Sequence, residues 1–243
     1  MSVFKLQEWW NVRVGADEEF DSGSMVVGNL DNSSVPADKI AVGSFQGMLR
    51  VYAPVKPTFR VEDLLIESNL GEPILQMLSG MFLPSSTNVA LAVLHPRKVV
   101  VYELEKSGAD KGGYHTLRKA YAHDLGIDGK HFSAFNMVSG AFGGVNGRDL
   151  LAVQSMDGKL QIFEQTANAF MRQFVDCLYP GPLLYLPRLD AFLTVNTSCE
   201  AQCFRYQVLA NSQGDIGTAS KTGAFAVTAM RSTLMEWSVI MGE

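Results

Sequence analysis

The sequence predicts an all-β chain built as a β-propeller of four-stranded blades, with about four blades present as the front part of a longer ring. Three observations predict it. A hairpin pattern recurs along the chain, a short apolar strand ending near glycine recurs ahead of it, and an amphipathic strand-like run recurs behind it.

The hairpin is clearest at LLAVQSMDGKLQIFEQ, Leu150 to Gln165. An apolar run, Leu150-Leu151-Ala152-Val153, meets Ser155-Met156-Asp157-Gly158, after which Leu160, Ile162 and Phe163 resume the strand. Asp-Gly between two such runs is a strong hairpin signal, because glycine accepts the positive φ that the turn needs. Asp38 to Tyr52 shares the outline, with Ser44-x-x-Gly47 at the turn. Asn88 to Tyr102 keeps the strands but places His95-Pro96-Arg97-Lys98 between them, and Asp190 to Tyr206 repeats the frame with a longer turn. The closing aromatics Tyr52, Tyr102, Phe163 and Tyr206 are separated by 50, 61 and 43 residues, a blade-sized interval.

Ahead of the first three hairpins stand Met25 to Leu30, Met77 to Phe82 and Met137 to Phe142, whose glycines (Gly28, Gly80, Gly140) lie 52 and 60 residues apart. Behind them follow Asp63 to Ser68, Leu117 to Ala122 and Phe170 to Val175. One strand, a hairpin and one outer strand make a blade. The blades are expected at about residues 23–70, 73–124, 133–178 and 182–243, the fourth starting near Leu183-Leu184-Tyr185 and taking its outer strand from the C-terminal residues around Trp237. The aperiodic intervals 31–37, 106–113 and 211–223 are read as surface loops, and no long helix is expected. A β-sandwich explains the strands but not three elements recurring in one order. Residues 3–12, with Trp9-Trp10, are a candidate ring-closing strand. A ring left open would expose an unpaired apolar edge, so the chain is expected to be part of a longer propeller.

Composition bounds the function. The 243 residues are 47% hydrophobic and 19% charged, as in globular proteins. A net charge of -5, with no Lys/Arg block, argues against nucleic acid as a partner. Cys177, Cys199 and Cys203 form no C-x-x-C pair and are read as free, mostly buried thiols of a reducing compartment. There is no signal-peptide core and no 18-residue apolar run, so the chain reads as cytoplasmic and the sequons at Asn32 and Asn196 as unused.

No constellation carries chemistry. The loop from Gly140 to Asp149 sits where some propellers carry calcium, yet Asp149 is its only carboxylate, too few for a hard cation. Nor is it a phosphate cradle, since no G-x-x-x-x-G-K-[ST] is present. His95, His115, His123 and His131 lack metal-ligand spacing, and His123-Asp124 is a catalytic pair only if a nucleophile joins it. The acidic run 17–21 is read as a solvated approach to the first strand. Trp9 and Trp10 point to opposite sides of an extended chain, one toward a core and one toward a partner surface. No catalytic, cofactor-binding or metal residues are assigned.

Long ordered segments carry a resemblance. They include Phe4-Lys5 with Trp9-Trp10, Glu18 to Asp21, Asp38 to Arg50, Glu62 to Leu65, Leu91 to Lys98, Phe142 to Leu150, Gln154 to Leu160, Phe163 to Gln165, Pro180 to Leu183, Phe192 to Val195 and Tyr206 to Ala210. Over about residues 3–210 the chain resembles the N-terminal region of the family of the ninth Bardet-Biedl syndrome protein, or parathyroid hormone-responsive B1 protein, a subunit of the BBSome. Past residue 211 only Trp237 and Gly242-Glu243 fit. The resemblance implies a seven-bladed propeller at the front of a larger scaffold protein, non-enzymatic and without cofactor. It implies other BBSome subunits as partners, and, through the assembled complex, ciliary membrane-protein cargo, an Arf-like small GTPase and peripheral association with the ciliary membrane. Cytoplasm, cilium and ciliary basal body are the implied locations. The alternative is a propeller enzyme or sugar-binding module with a central-channel site, which needs convergent acids or a metal at the channel mouth.

Overall fold

Four antiparallel meanders follow one another along the chain. The structure, a computed structural model, describes residues 8–34, 37–107, 114–126, 131–174, 176 and 178–212. The first sheet runs β1 (Met25–Gly28), β2 (Lys39–Gly43), β3 (Met48–Tyr52), β4 (Leu64–Asn69), and the second β5 (Gln76–Gly80), β6 (Ala90–Leu94), β7 (Lys98–Ser107), β8 (Tyr114–Asp124). The third runs β9 (Ala134–Gly140), β10 (Leu150–Ser155), β11 (Lys159–Glu164), β12 (Ala167–Gln173). The fourth holds β13 (Leu178–Leu186), β14 (Ala191–Asn196) and β15 (Ala201–Arg205), three strands among the described residues. These are the blades of a propeller.

The Ser-x-x-Gly turns explain two of the hairpins. Gly47 and Gly158 take φ of 85° and 83°. The hydroxyls of Ser44 and Ser155 accept the N–H of Met48 (3.2 Å) and Lys159 (2.8 Å), closing each loop at its far end. Asp157 keeps negative φ, so the loop is not the two-residue type in which both central residues turn left-handed.

Burial explains why the second strands read as unbroken apolar runs. Leu91 and Val93 face the first blade in one cluster with Ala41, Leu49 and Val51, while Ala92 and Leu94 face the third blade with Met137, Leu151 and Val153. Leu150 and Ala152 turn to the fourth blade, against Phe192 and Leu183. A strand covered on both faces has no polar side to show. The core is thus three seams between neighbouring blades.

Two departures concern the chain's ends. Of the expected ring-closing strand, residues 3–7 lie outside the described residues, and residues 8–12 are not in a strand. The outer strand expected for the fourth blade at the C-terminus also lies outside them. After β15 the chain instead turns into a short helix, α1 (Tyr206–Asn211), absent from the sequence reading. It buries Leu209 in the third seam, and Arg172 donates to the carbonyls of Leu209 (2.6 Å) and Ala210 (3.0 Å) at its C-terminal turn. Six residues are too few for a helical period to show against a strand background.

Candidate interaction surfaces

The first strand of each blade lies innermost, because β1, β5, β9 and β13 approach one another in succession. As edge strands they leave backbone groups unpaired, and side chains of neighbouring blades fill them. Gln76 on β5 donates to the carbonyl of Met137 (2.9 Å) and accepts its N–H (2.7 Å). Ser79 donates to Val27 O (3.1 Å), and Asn136 to Gly181 O (2.6 Å). None of the four inner strands contains Asp, Glu, His, Cys, Lys or Arg. Met25, Val27, Tyr179 and Leu184 on them are more than half exposed or nearly so.

The recurring glycines stand where a neighbouring blade presses close, at Gly80 together with Phe82 of the same blade (2.7 Å). A Cβ on Gly28 would lie 3.1 Å from Ser79 Oγ, on Gly80 2.8 Å from Asp149 Oδ2, and on Gly140 2.5 Å from the Tyr185 ring. Their spacing was legible in the sequence, but the reason for it, contact across a seam, was not.

A second set of pins runs along the rim that carries the first-to-second-strand loops. Asn32 donates to Val89 O (3.0 Å) and accepts Val89 N–H (2.7 Å). Asp149 accepts Met81 N–H (2.9 Å) through its carboxylate and donates its own N–H to Met81 O (2.9 Å). Asp190 accepts from Gly143 N–H (2.9 Å) and from the Tyr185 hydroxyl (2.9 Å). Asp149 and Asp190 stand at the start of their hairpins, where the sequence offered a signal, whereas Asn32 lies earlier in its loop. Asp149, too isolated for calcium, is therefore a blade-to-blade fastener.

The other residues singled out in the sequence do not converge on one site. His95 is fully buried; its Nδ1 is 2.9 Å from Pro73 O, its Nε2 has no partner among the described residues, and burial pushes its pKa down. His115, on β8, is lowered for the same reason. His123 stacks on Phe163 and meets Gln165 O, so it is no half of a catalytic pair with Asp124 in this arrangement. His131 is exposed, its carbonyl accepting from Lys159 (3.1 Å). Among the described residues no group of three His, Cys, Asp or Glu is placed to hold a metal, and no helix is long and apolar enough to cross a membrane.

Two expectations need correction. The thiols are not mostly buried: Cys199 is exposed in the β14–β15 turn and Cys203 half-buried, while Cys177 lies outside the described residues. The acidic run 17–21 is not simply solvated. Glu18 receives both terminal nitrogens of Arg50 (2.8 Å each), and these bonds hold its carboxyl below the usual range. Asp21 accepts Ser22 N–H at the start of a single helical turn, Ser22–Ser24. The two tryptophans point apart, and the partner surface expected for one of them remains an expectation. Trp10 packs edge-on against Tyr52 and Phe59 and donates to Asp63 (3.2 Å), whereas Trp9 is 54% exposed. Both sequon asparagines spend their side-chain amides internally, Asn196 on Glu200 (3.1 Å).

On the same rim a groove crosses from the second blade to the third. A cavity of about 570 Å³ is lined by the loop 83–87, the loop 145–148 and Gln165. A second, of about 280 Å³, shares Leu83, Pro84 and Ser86 and continues to Tyr121, Glu103 and Arg118. Arg118 is ion-paired to Glu103 and Glu105, whereas Arg148 has no hydrogen-bonding partner among the described residues.

Residues 1–243 match the family described as PTHB1 N-terminal. Relatives named Protein PTHB1 are 40% identical in Xenopus laevis and 39% in Homo sapiens, each over all of this chain. A pthb1 homolog of Caenorhabditis elegans is 27% identical over 81% of the chain. The chain spans 29% and 27% of the length of the frog and human relatives, under a third of each. Among solved structures it is similar to BBS1N in a crystal structure of its complex with ARL6DN, soaked with lead. The TM-score is 0.58 over 78% of this chain and 55% of that one, at 12% identity, which shows a shared propeller fold.

Proposed function

The chain belongs to the PTHB1 N-terminal family, and from that premise we propose that it is the propeller module of a non-enzymatic BBSome subunit, docking other subunits through its rims and blade faces. The whole-length match to proteins named PTHB1 carries this reading. The fold shared with BBS1N, a propeller crystallised with ARL6DN, supports it by placing a related architecture beside a small GTPase. A rigid ring is suited to the task, since it presents many loops from one scaffold.

On this reading the complete protein belongs to a coat-like complex that moves membrane proteins into and out of cilia. Cargo, an Arf-like small GTPase and the ciliary membrane are met through the assembled complex, in cytoplasm, cilium and basal body. The test is affinity purification of the complete protein from ciliated cells, followed by mass spectrometry. Stoichiometric recovery of other BBSome subunits is expected, and their absence would sink the reading.

A further inference from the structure

Building on that docking role, we infer that the rim groove between the second and third blades is a recognition site for an extended, carboxylate-bearing peptide of a protein partner. Arg148 lies half-buried in its wall with no ion pair or hydrogen bond among the described residues. Elsewhere on this acidic chain Arg50, Arg118 and Arg172 each serve two or more acceptors. A guanidinium held in a recess presents a fork that fits a carboxylate bidentately.

The surroundings extend that preference from an ion to a chain. Ser85, Ser86 and Thr87 line the same recess and bring hydroxyls able to donate, that of Ser86 also accepting Asn88 N–H (3.1 Å). Exposed Pro84, backed by the edge of Leu83, which is otherwise buried in the core, forms an apolar spot shared with the adjoining cavity, where Arg118 is already neutralised by Glu103 and Glu105. The groove is therefore polar and unpaired at one end, apolar and charge-balanced at the other. About 570 Å³ is far more room than one anion needs and falls within the range of peptide-sized and drug-sized ligands. An acidic side chain at Arg148 followed by an apolar one over Leu83 and Pro84 matches that order. Nucleic acid does not, because a single unpaired guanidinium in a chain with no Lys/Arg block cannot track a phosphate backbone, whereas it can pair with one carboxylate.

The walls are fixed before any ligand arrives. Tyr121 donates to Phe82 O (2.9 Å), Gln165 to Leu83 O (3.0 Å), and Asp149 couples the Arg148 loop to Met81. Little ordering remains to be done on binding, which favours affinity.

The experiment uses the complete protein and a fluorescein-labelled peptide of about nine residues alternating Leu and Glu, with a Gln-for-Glu copy, in anisotropy titrations at low and physiological salt. The Glu peptide should bind at least about tenfold more tightly than the Gln copy. Arg148→Met should erase that difference while leaving the melting temperature unchanged, since the side chain holds nothing in place. Thr87→Trp, which fills the groove without touching charge, should weaken both peptides. Equal binding of the two peptides, indifference to Arg148→Met, no binding up to about 1 mM, or inorganic phosphate binding as tightly as the peptide would each overturn the inference. Normal recovery of BBSome subunits beside any of these results would leave the docking role standing and remove only this site.

Discussion

Gly140→Ala is the sharpest test of how the blades are locked together. The new methyl carbon would sit 2.5 and 2.7 Å from two carbons of the Tyr185 ring and 3.2 Å from Phe142. Ordinary carbon contacts lie near 3.5–4.0 Å, so something must move by about 1 Å. Tyr185 has no room to yield. Its ring packs on Phe142 (4.6 Å between centroids) and Phe192 (5.5 Å), and its hydroxyl is tied to Asp190 (2.9 Å) and Ala141 O (3.2 Å). Overpacking of this kind costs roughly 1–3 kcal/mol, against which the loss of glycine's freedom in the unfolded chain returns about 0.4–1 kcal/mol. A net loss of about 1–2 kcal/mol lowers the melting temperature of a chain this size by roughly 2–8 °C. The assay is differential scanning calorimetry of Gly140→Ala beside Gly28→Ala. The second substitution meets the Ser79 hydroxyl at 3.1 Å and its Cβ at 3.3 Å, so a shift of only a few tenths of an ångström is needed and the cost should be smaller. Combining Gly140→Ala with Tyr185→Leu should cost less than the sum of the two. A Gly140→Ala protein melting with its parent, or additive behaviour of the pair, would refute the seam as described.

Three further perturbations read other parts of the same architecture. Gly158→Val forces a β-branched residue to a φ of 83° and should destabilise the third blade by about 1 kcal/mol or more; an unchanged melting curve would remove the turn assignment. Arg50→Lys loses the fork shared by Glu18 and Glu67 and should cost roughly 1 kcal/mol by urea unfolding, the cost shrinking as Glu18 is protonated below its ordinary 4.5, because a carboxylate held low contributes its stability above that value and loses it as pH falls. His95 is held neutral by burial, so below its ordinary 6.5 the unfolded chain binds a proton the folded chain refuses. Stability should then fall on acidification by at most about 1.4 kcal/mol per pH unit for each such histidine, His115 adding to the slope, and His95→Asn should flatten it.

The blades were legible because a four-strand unit repeats its turn chemistry and its apolar runs in one order. The Ser-x-x-Gly turns needed only local backbone geometry, which sequence carries well. What stayed hidden was whatever depends on the neighbouring blade. Gly140 opposite Tyr185, Gln76 spanning Met137 and Asn32 spanning Val89 are contacts between residues 45, 61 and 57 positions apart, and no local pattern encodes them. The groove was hidden for the same reason. Its two walls come from different blades, and Arg148 reads in sequence as one more loop cation.

Asp149 connects the fold to that groove. Its carboxylate accepts Met81 N–H at 2.9 Å while its own N–H meets Met81 O, so the residue beside Arg148 is fastened at two points to the second blade. Asp149→Ala removes the acceptor and leaves the Met81 amide without a partner in a crowded seam, a loss of about 1–3 kcal/mol. If the fastening also sets where the Arg148 guanidinium stands, the same change should weaken the Glu peptide several-fold although Arg148 itself is intact. Asp149→Asn keeps an oxygen acceptor at the same place and should restore most of both effects. Asp149 is on this account a positioning residue, and the peptide affinity separates that from mere support. An Asp149→Ala protein that melts lower yet binds the Glu peptide like its parent would confine the residue to holding the blades together.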